Sequence, residues 1–385
     1  MRTPRGPDAP AAIAAAIVIG ALSPSSLTMM PVLVQAFVER AGLTEAQAGL
    51  VASIEVLGIL ASTIGFSFLQ FRLRWSRAAM AGLGLFICAN LASTEVSGFA
   101  ALACLRFAAG LGAGMSIATG FVALAITRHP DRWFGWMIAA VLGYAAIGLW
   151  FVPIIYRAGG LAALMCGFAC VGLLGMIAAA FITDGRPAEG PLGGPAAAPP
   201  LLLRASALLS LFLFFLGYGI IWTYMTLVGD ASGLTEQQSS IALTSSQIFG
   251  IFGAIAVALA AEPVEARIGR RGALAIIICL GTAGTACFSL HQSFVLFCAL
   301  NGVFQFTWNA GQPALLGAVA AADQSGRLVT AAVPMQFLGY TVGPAIAALL
   351  VKGGISPVIW VSAGFIAVSF LALLPLTGKS KTVLF

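Results

Sequence analysis

Two oppositely charged residues stand alone inside long apolar runs of the sequence, Glu55 in the run 46–70 and Arg106 in the run 98–126. An ionisable side chain within a membrane-length run is costly, and it persists where it pairs, moves a proton or meets a solute. Counted from the side on which both runs enter, each group lies roughly 12–14 Å deep at about 1.5 Å per residue. Equal depth suits a pair. On one reading Glu55 takes up and releases a proton, while Arg106 tunes it or holds an anionic solute. On the other, the pair is static and fixes helix packing. Arg106, Gly110 and Gly114 share a helical face, which turns Arg106 toward packed protein.

A second group is neutral. Asn301, Gln305, Trp308 and Gln312 recur at i, i+4, i+7 and i+11, one stripe of an otherwise apolar helix. Lipid penalises such a stripe, so it should face a cavity or another helix. Tyr218 and Trp222 lie one turn apart in the run 205–229. Ser240, Thr244 and Gln247 share one side of 236–261, and Gln336 and Tyr340 fall in 326–351. Ser25, Thr28 and Gln35 fall in 11–38, where Pro24 and Pro31 can bend the helix, and Tyr144 falls in 133–157. The candidate solute-binding set is these residues with Arg106: Gln35, Tyr144, Tyr218, Trp222, Gln247, Asn301, Gln305, Trp308, Gln336 and Tyr340. The alternative is interhelical hydrogen bonding without solute contact. A single carboxylate facing aromatic and amide surface suits a small organic solute with a ring or an apolar body. Such a solute could carry a carboxylate to meet Arg106.

The elements that must position these groups follow from composition. Of 385 residues, 60% are hydrophobic and only 8% charged, with a mean hydropathy of +1.01. Soluble domains carry about 25% charged residues, so lipid must replace water around most of this chain. The expected architecture is an all-α polytopic membrane protein of twelve transmembrane helices in two pseudo-symmetric six-helix bundles. The twelve spans are 11–38, 46–70, 78–96, 98–126, 133–157, 160–182, 205–229, 236–261, 272–290, 293–319, 326–351 and 355–377. The basic, then apolar N-terminus resembles a signal peptide, but the apolar run is long enough to be span 1. Residues 184–204, rich in Gly and Pro, read as a cytoplasmic linker between bundles 1–183 and 205–385.

The basic residues set the orientation. With the N-terminus in the cytoplasm, that side holds Arg2, Arg5, Arg72, Arg74, Arg77, Arg128, Arg132, Arg186, Arg204, Arg267, Arg270, Arg271, Arg327, Lys379 and Lys381. The other side holds Arg40, Arg157 and Lys352. Fifteen against three places both termini inside. The net charge of +6 is spread over short loops and does not indicate nucleic acid. The seven cysteines lie in or beside apolar runs and read as small hydrophobes. His129 and His291, and the acids Asp230 and Glu236, are expected to be hydrated loop groups. An internal repeat supports the halves. Gly42-Leu43-Thr44-Glu45 returns as Gly233-Leu234-Thr235-Glu236, displaced by 191, and Leu142-Gly143-Tyr144 returns as Leu338-Gly339-Tyr340, displaced by 196. Repeated halves with a solute site between them are a common transporter construction.

The segment Arg106-Phe107-Ala108-Ala109-Gly110-Leu111-Gly112-Ala113-Gly114 resembles the R-x-x-x-G-x-G-x-G pattern of the major facilitator superfamily. Arg267-Ile268-Gly269-Arg270-Arg271 resembles the tail of that superfamily's cytoplasmic-loop motif, with Ala266 in place of the usual Asp and Glu265 beside it. The matching first-half loop has Arg72, Arg74 and Arg77 but neither the Asp nor the Gly. The resemblance implies alternating access between two bundles, with spans 1, 4, 7 and 10 lining a cavity and 2, 5, 8 and 11 flanking it. The polar stripes fall on those spans, and Asn90 is the exception, in span 3. The resemblance also implies gating roles for Arg267, Arg270, Arg271, Gly343 and Pro344. Drug antiporters of the superfamily often carry Gly-Pro in span 5; here that dipeptide is in span 11.

The expected function is secondary transport of a small organic solute, coupled to protons or another ion and directed inward. The alternative is proton-driven efflux of drugs or other lipophilic compounds. A non-transporting receptor of the same fold is a further class. An enzyme is not expected, because one intramembrane carboxylate without histidine or clustered ligands offers no convergent acid–base or metal chemistry. No cofactor or metal is expected. The expected setting is a bacterial inner membrane, the expected state a monomer, and the expected partners the solute, protons and the lipid bilayer.

Overall fold

The computed structural model describes residues 8–70, 72–96, 98–127, 130–183, 200–322, 327–375. Arg2, Arg5, Arg128, Arg186, Lys379, Lys381, His129 and residues 184–199 of the expected linker lie outside the described residues, as do the side chains of Arg40, Arg132 and Arg327.

Span 1 is not one helix but three pieces, α1 (Pro10–Leu22), α2 (Ser25–Thr28) and α3 (Met30–Ala41). Pro24 and Pro31 lack the backbone N–H that would carry the ladder through, and the chain bends there. The Ser25 hydroxyl turns back onto the Leu22 carbonyl, and Thr28 Oγ1 donates to the Ser25 carbonyl at 2.9 Å. Spans 2 to 4 are α4 (Glu45–Leu69), α5 (Trp75–Ala92) and α6 (Phe99–Ala125). Spans 5 and 6 are the two arms of α7 (Pro130–Ala179), folded at Gly159 and Gly160. Span 7 is α8 (Leu201–Thr223) plus α9 (Met225–Ala231). Residues 201–204 of the expected linker are therefore helical.

The break in span 7 has no proline. Thr223 Oγ1 donates to the Gly219 carbonyl at 2.8 Å, a side-chain bond that competes with the helix ladder and bends it. Spans 8 and 9 are the arms of α10 (Glu236–Ala286), folded at Gly269. Spans 10 to 12 are α11 (Phe294–Ala322), α12 (Arg327–Leu350) and α13 (Ile355–Leu373).

Among the described residues nine helices are long and apolar enough to cross a bilayer, residues 136–179 being counted once. The fold at Gly159 divides that stretch in two. The count omits α11, whose polar stripe lowers its hydropathy, and the broken span 1. With these the total is twelve. Large apolar side chains such as Ile147, Ile177, Val295 and Leu371 point outward and are exposed, as the belt of a membrane protein requires.

The repeat is visible in the backbone. Gly42 (φ 65°) and Gly233 (φ 79°) are both left-handed, a conformation that an L side chain resists. Each is followed by a capping box, Thr44 with Gln47 and Thr235 with Gln238. These reciprocal bonds satisfy the first amides of α4 and α10. Spans 1–6 pack among themselves, as do spans 7–12. The two bundles meet through α4 on α12 and the first arms of α7 and α10, with α3 on α8 and α9 between them.

Candidate functional site: the junction of the two bundles

The first bundle supplies the charge, and glycine packing positions it. A methyl group on Gly110 would overlap the Glu55 carbonyl oxygen, one on Gly114 the Ser62 hydroxyl and Ile59 carbonyl, and one on Gly112 the Gly82 carbonyl. The alternate glycines thus let α6 touch α4 on one side and α5 on the other, backbone to backbone. Arg106 stands one turn before Gly110 and is brought level with Glu55, its Nη1 3.7 Å from Glu55 Oε1. Both residues are fully buried.

The guanidinium turns toward α5. Nη1 donates to Asn90 Oδ1 at 3.0 Å, and Nη2 to Ser93 Oγ at 2.9 Å and to the Ala89 carbonyl at 3.3 Å. Asn90, out of place among span 3's apolar residues, is thereby accounted for, and Ser93 joins it one turn on. All of these partners belong to the first bundle, and Arg106 makes the expected pairing with Glu55. Neither Glu55 carboxylate oxygen accepts a hydrogen bond, and the same holds for the buried Ser23 and Ser26 hydroxyls at the break in span 1. Ser26 interacts electrostatically with Glu55. The carboxylate therefore lies between Arg106 and the broken part of span 1, and Tyr144 faces the same break through Ser25.

The second bundle supplies an aromatic box. Tyr218, Trp222, Phe304, Trp308 and Tyr340 lie with ring centroids 4.9–6.3 Å apart where they touch, and Phe215 closes on Tyr340 at 5.0 Å. Such contacts combine apolar burial with edge-to-face attraction. The stripe on α11 faces inward as the spacing predicts. Asn301 is buried with its Oδ1 unpartnered. Gln305 is buried and bonded to Asn309, and Gln312 is half-buried, 3.3 Å from Gln336. The Tyr218 hydroxyl, however, turns into its own bundle and donates to Thr307 Oγ1 at 2.8 Å. Gln247 folds back onto the Leu243 carbonyl. Asn309, Thr307 and Phe304 were missed by the sequence reading. Asn309 is detectable as the next turn after Gln305, while Phe304 is indistinguishable in sequence from a lipid-facing phenylalanine.

Hydrogen bonds between described residues of the two bundles gather in the half of the molecule that carries the Gly42 and Gly233 turns. Trp222 Nε1 donates to the Leu27 carbonyl, Thr226 to Pro31, Tyr224 to Glu45, Ser240 to Leu149 and Ser53 to Thr341. Gln35 is also there, bonded to Asp230 rather than inside the box. Asp230, expected to be hydrated, therefore takes part in the seal. Gly343 packs against the backbone of Gly219 and Ile220, so it lets α12 lie close to α8, and Pro344 follows it inside α12. At the opposite end Arg270 pairs with Glu265 at 2.9 Å, and Arg267 and Arg271 are exposed.

Two six-helix bundles, sealed at one end around a buried charge and an aromatic box, define a polytopic helical transport protein. Residues 207–383, nearly the whole second bundle, match the family model of the Major Facilitator Superfamily, and the first bundle repeats that architecture. That match, with the helical architecture around it, supports a membrane transporter of that superfamily. A comparison with curated proteins gave no match.

Proposed function

We propose that the chain takes up a small organic solute with an aromatic or apolar body, by proton-coupled alternating access between bundles 1–183 and 205–385 joined by a linker at 184–204. The observation that carries this reading is the box of Tyr218, Trp222, Phe304, Trp308 and Tyr340, beside the unpartnered Asn301 Oδ1 and level with the span 1 break. Aromatic faces bind a ring or an apolar body, and an orphaned amide oxygen awaits a donor.

Glu55 is the proton carrier in this proposal. Its unbonded oxygens face the break in span 1, and Arg106 serves as its counter-charge. Binding of a proton would free Arg106 to rest on Asn90, Ser93 and Ala89 alone. With both termini in the cytoplasm of a bacterial inner membrane, the sealed end faces outward and this state faces inward. A monomer suffices, since each bundle provides the other's partner.

Proteoliposomes with an imposed pH gradient test the reading, after a thermal-shift screen of metabolites and drugs has found a stabilising ligand. Solute accumulation driven by a proton gradient, lost in Glu55→Gln, is the expected result. Accumulation unaffected by Glu55→Gln overturns the coupling role. Extrusion of lipophilic compounds overturns uptake in favour of efflux.

A further inference from the structure

The outer seam carries charged side chains that neither the box nor the Glu55–Arg106 pair uses. Gln35, on α3 of the first bundle, is about nine-tenths buried. Its Nε2 donates one hydrogen to Glu39 Oε1 at 2.8 Å and the other to Asp230 Oδ2 at 3.1 Å, on α9 of the second bundle. Two carboxylates from opposite bundles therefore converge on a single nitrogen. Their oxygens are no farther apart than the sum of those two bonds.

Each element around Asp230 contributes to its field. Tyr156, on α7, donates to the other Glu39 oxygen at 3.0 Å. Glu236, at the start of α10, adds a third negative charge and is coupled to Glu39 and to Arg157 of α7. The third helix packed on α9 is α13, which has no titratable side chain. His291 lines a cleft with Ala231, the last residue of α9, and with Ser232 just beyond it. Two ionised carboxylates on one amide repel each other. A proton on either removes the repulsion without removing the amide's bonds, whereas parting α3 from α9 relieves it without a proton.

We propose that Asp230, with Glu39 and Gln35, is a proton-operated latch on the outer seam, closed by a proton taken from outside and released by its loss. The proposal rests on the alternating-access reading above. In the sealed state burial, then Glu39, then Glu236, push Asp230 from 3.8 up to about 6. Once the bundles part, burial against α3 and the charge of Glu39 fall away while Glu236 stays beside Asp230 on the second bundle, so the group returns part of the way toward its ordinary value. A group raised in the sealed state contributes to sealing fully below its ordinary value, and that contribution is lost as pH rises through about 6. Asp230 is exposed on its outer side, so solvent screening trims the effect. The swing in the sealed-to-open ratio between about pH 5 and about pH 8 is then at most about tenfold, one decade per unit.

Spin labels on non-canonical residues at positions 41 and 231, in the full chain in nanodiscs, read the seam distance by pulsed electron resonance and leave the native cysteines in place. The parent's sealed population is expected to fall from about pH 5 to about pH 8. Asp230→Asn should stay sealed at both pH values, Asp230→Glu should respond like the parent, and Glu39→Gln should move the response to lower pH. A parent indifferent to pH, or an Asp230→Asn chain that responds like the parent, overturns the latch. Neither solute nor gradient enters this measurement. A chain that moved nothing in proteoliposomes would sink the transport reading and leave the latch result as measured.

Discussion

Trp222 Nε1 donates to the Leu27 carbonyl across 3.3 Å, and the two residues are 195 apart in the chain. Thr226 with Pro31 and Asp230 with Gln35 repeat that separation at steps of four residues. The turns that end spans 1 and 7, at Gly42 and Gly233, are 191 apart, so each partner lies one helical turn beyond the other's counterpart. The outer halves of spans 1 and 7 run side by side through this ladder. Both spans break at the inner end of the ladder, around its Leu27–Trp222 rung, at residues 23–29 and at Tyr224.

That position makes the ladder bonds part of the seal and not of either bundle's own stability. Trp222→Phe removes one of them and keeps a ring in the box. A net hydrogen bond is worth about 0.5–1.5 kcal/mol, so the sealed-to-open ratio is expected to drop roughly two- to tenfold. The thermal midpoint of the detergent-purified chain should barely change. Seam distances from spin labels check the first expectation and a melting curve the second. A large loss of thermal stability with an unchanged seam would assign Trp222 to the core of the second bundle instead.

The Glu55–Arg106 pair predicts an asymmetry. Arg106→Leu strands a buried carboxylate that accepts no hydrogen bond, and breaking a buried pair in this way costs about 3–5 kcal/mol. Glu55→Gln leaves the guanidinium on Asn90, Ser93 and Ala89 and should cost less. The double variant should recover part of the loss, because the stranded charge is gone. Thermal unfolding of the four chains measures this cycle. A double-variant loss equal to the sum of the two single losses would show that the pair contributes nothing beyond its separate contacts.

The glycines of α6 separate packing from composition. Gly110→Ala drives a methyl group into the Glu55 carbonyl, whereas around Gly143 nothing stands within 4 Å of an added Cβ. The expected outcome is a Gly110→Ala chain with sharply reduced folded yield and a Gly143→Ala chain like the parent, read by size-exclusion profile and melting temperature. If Gly110→Ala melts with the parent, α4 and α6 are able to separate by roughly an ångström at no cost.

Much of this was legible beforehand because the bilayer leaves few choices. A lone Glu55 and Arg106 at one depth had to find each other, and the Asn301-to-Gln312 stripe had to turn inward. The helical breaks were half legible. Pro24 and Pro31 announce the one in span 1, but the one in span 7 depends on a side-chain bond from Thr223 that has no sequence mark. Placement across the junction was not legible at all. Gln35 has the polarity of a box residue, and only the three-dimensional meeting of α3 with α9 sets it on Asp230. Arg106 likewise has the charge to hold an anion, yet Asn90 and Ser93 claim it, and no spacing rule links α5 to α6 at that level.

The aromatic box yields the most direct test of what the chain binds. Trp308 touches Tyr218, Trp222, Phe304 and Tyr340 at centroid distances of 5.3–5.8 Å, and it is the central ring of the group. Trp308→Ala removes those contacts and is expected to weaken binding of the stabilising ligand at least tenfold, about 1.4 kcal/mol or more, since aromatic pairs contribute beyond their buried area. Trp308→Phe should retain most of the affinity. Tyr218→Phe deletes a hydroxyl that already donates to Thr307 inside the bundle, so it should lower the melting temperature slightly and leave affinity alone. Titration calorimetry with the ligand separates these outcomes. A ligand that loses affinity in Tyr218→Phe but not in Trp308→Ala would bind outside the box, on the Thr307 side of α8.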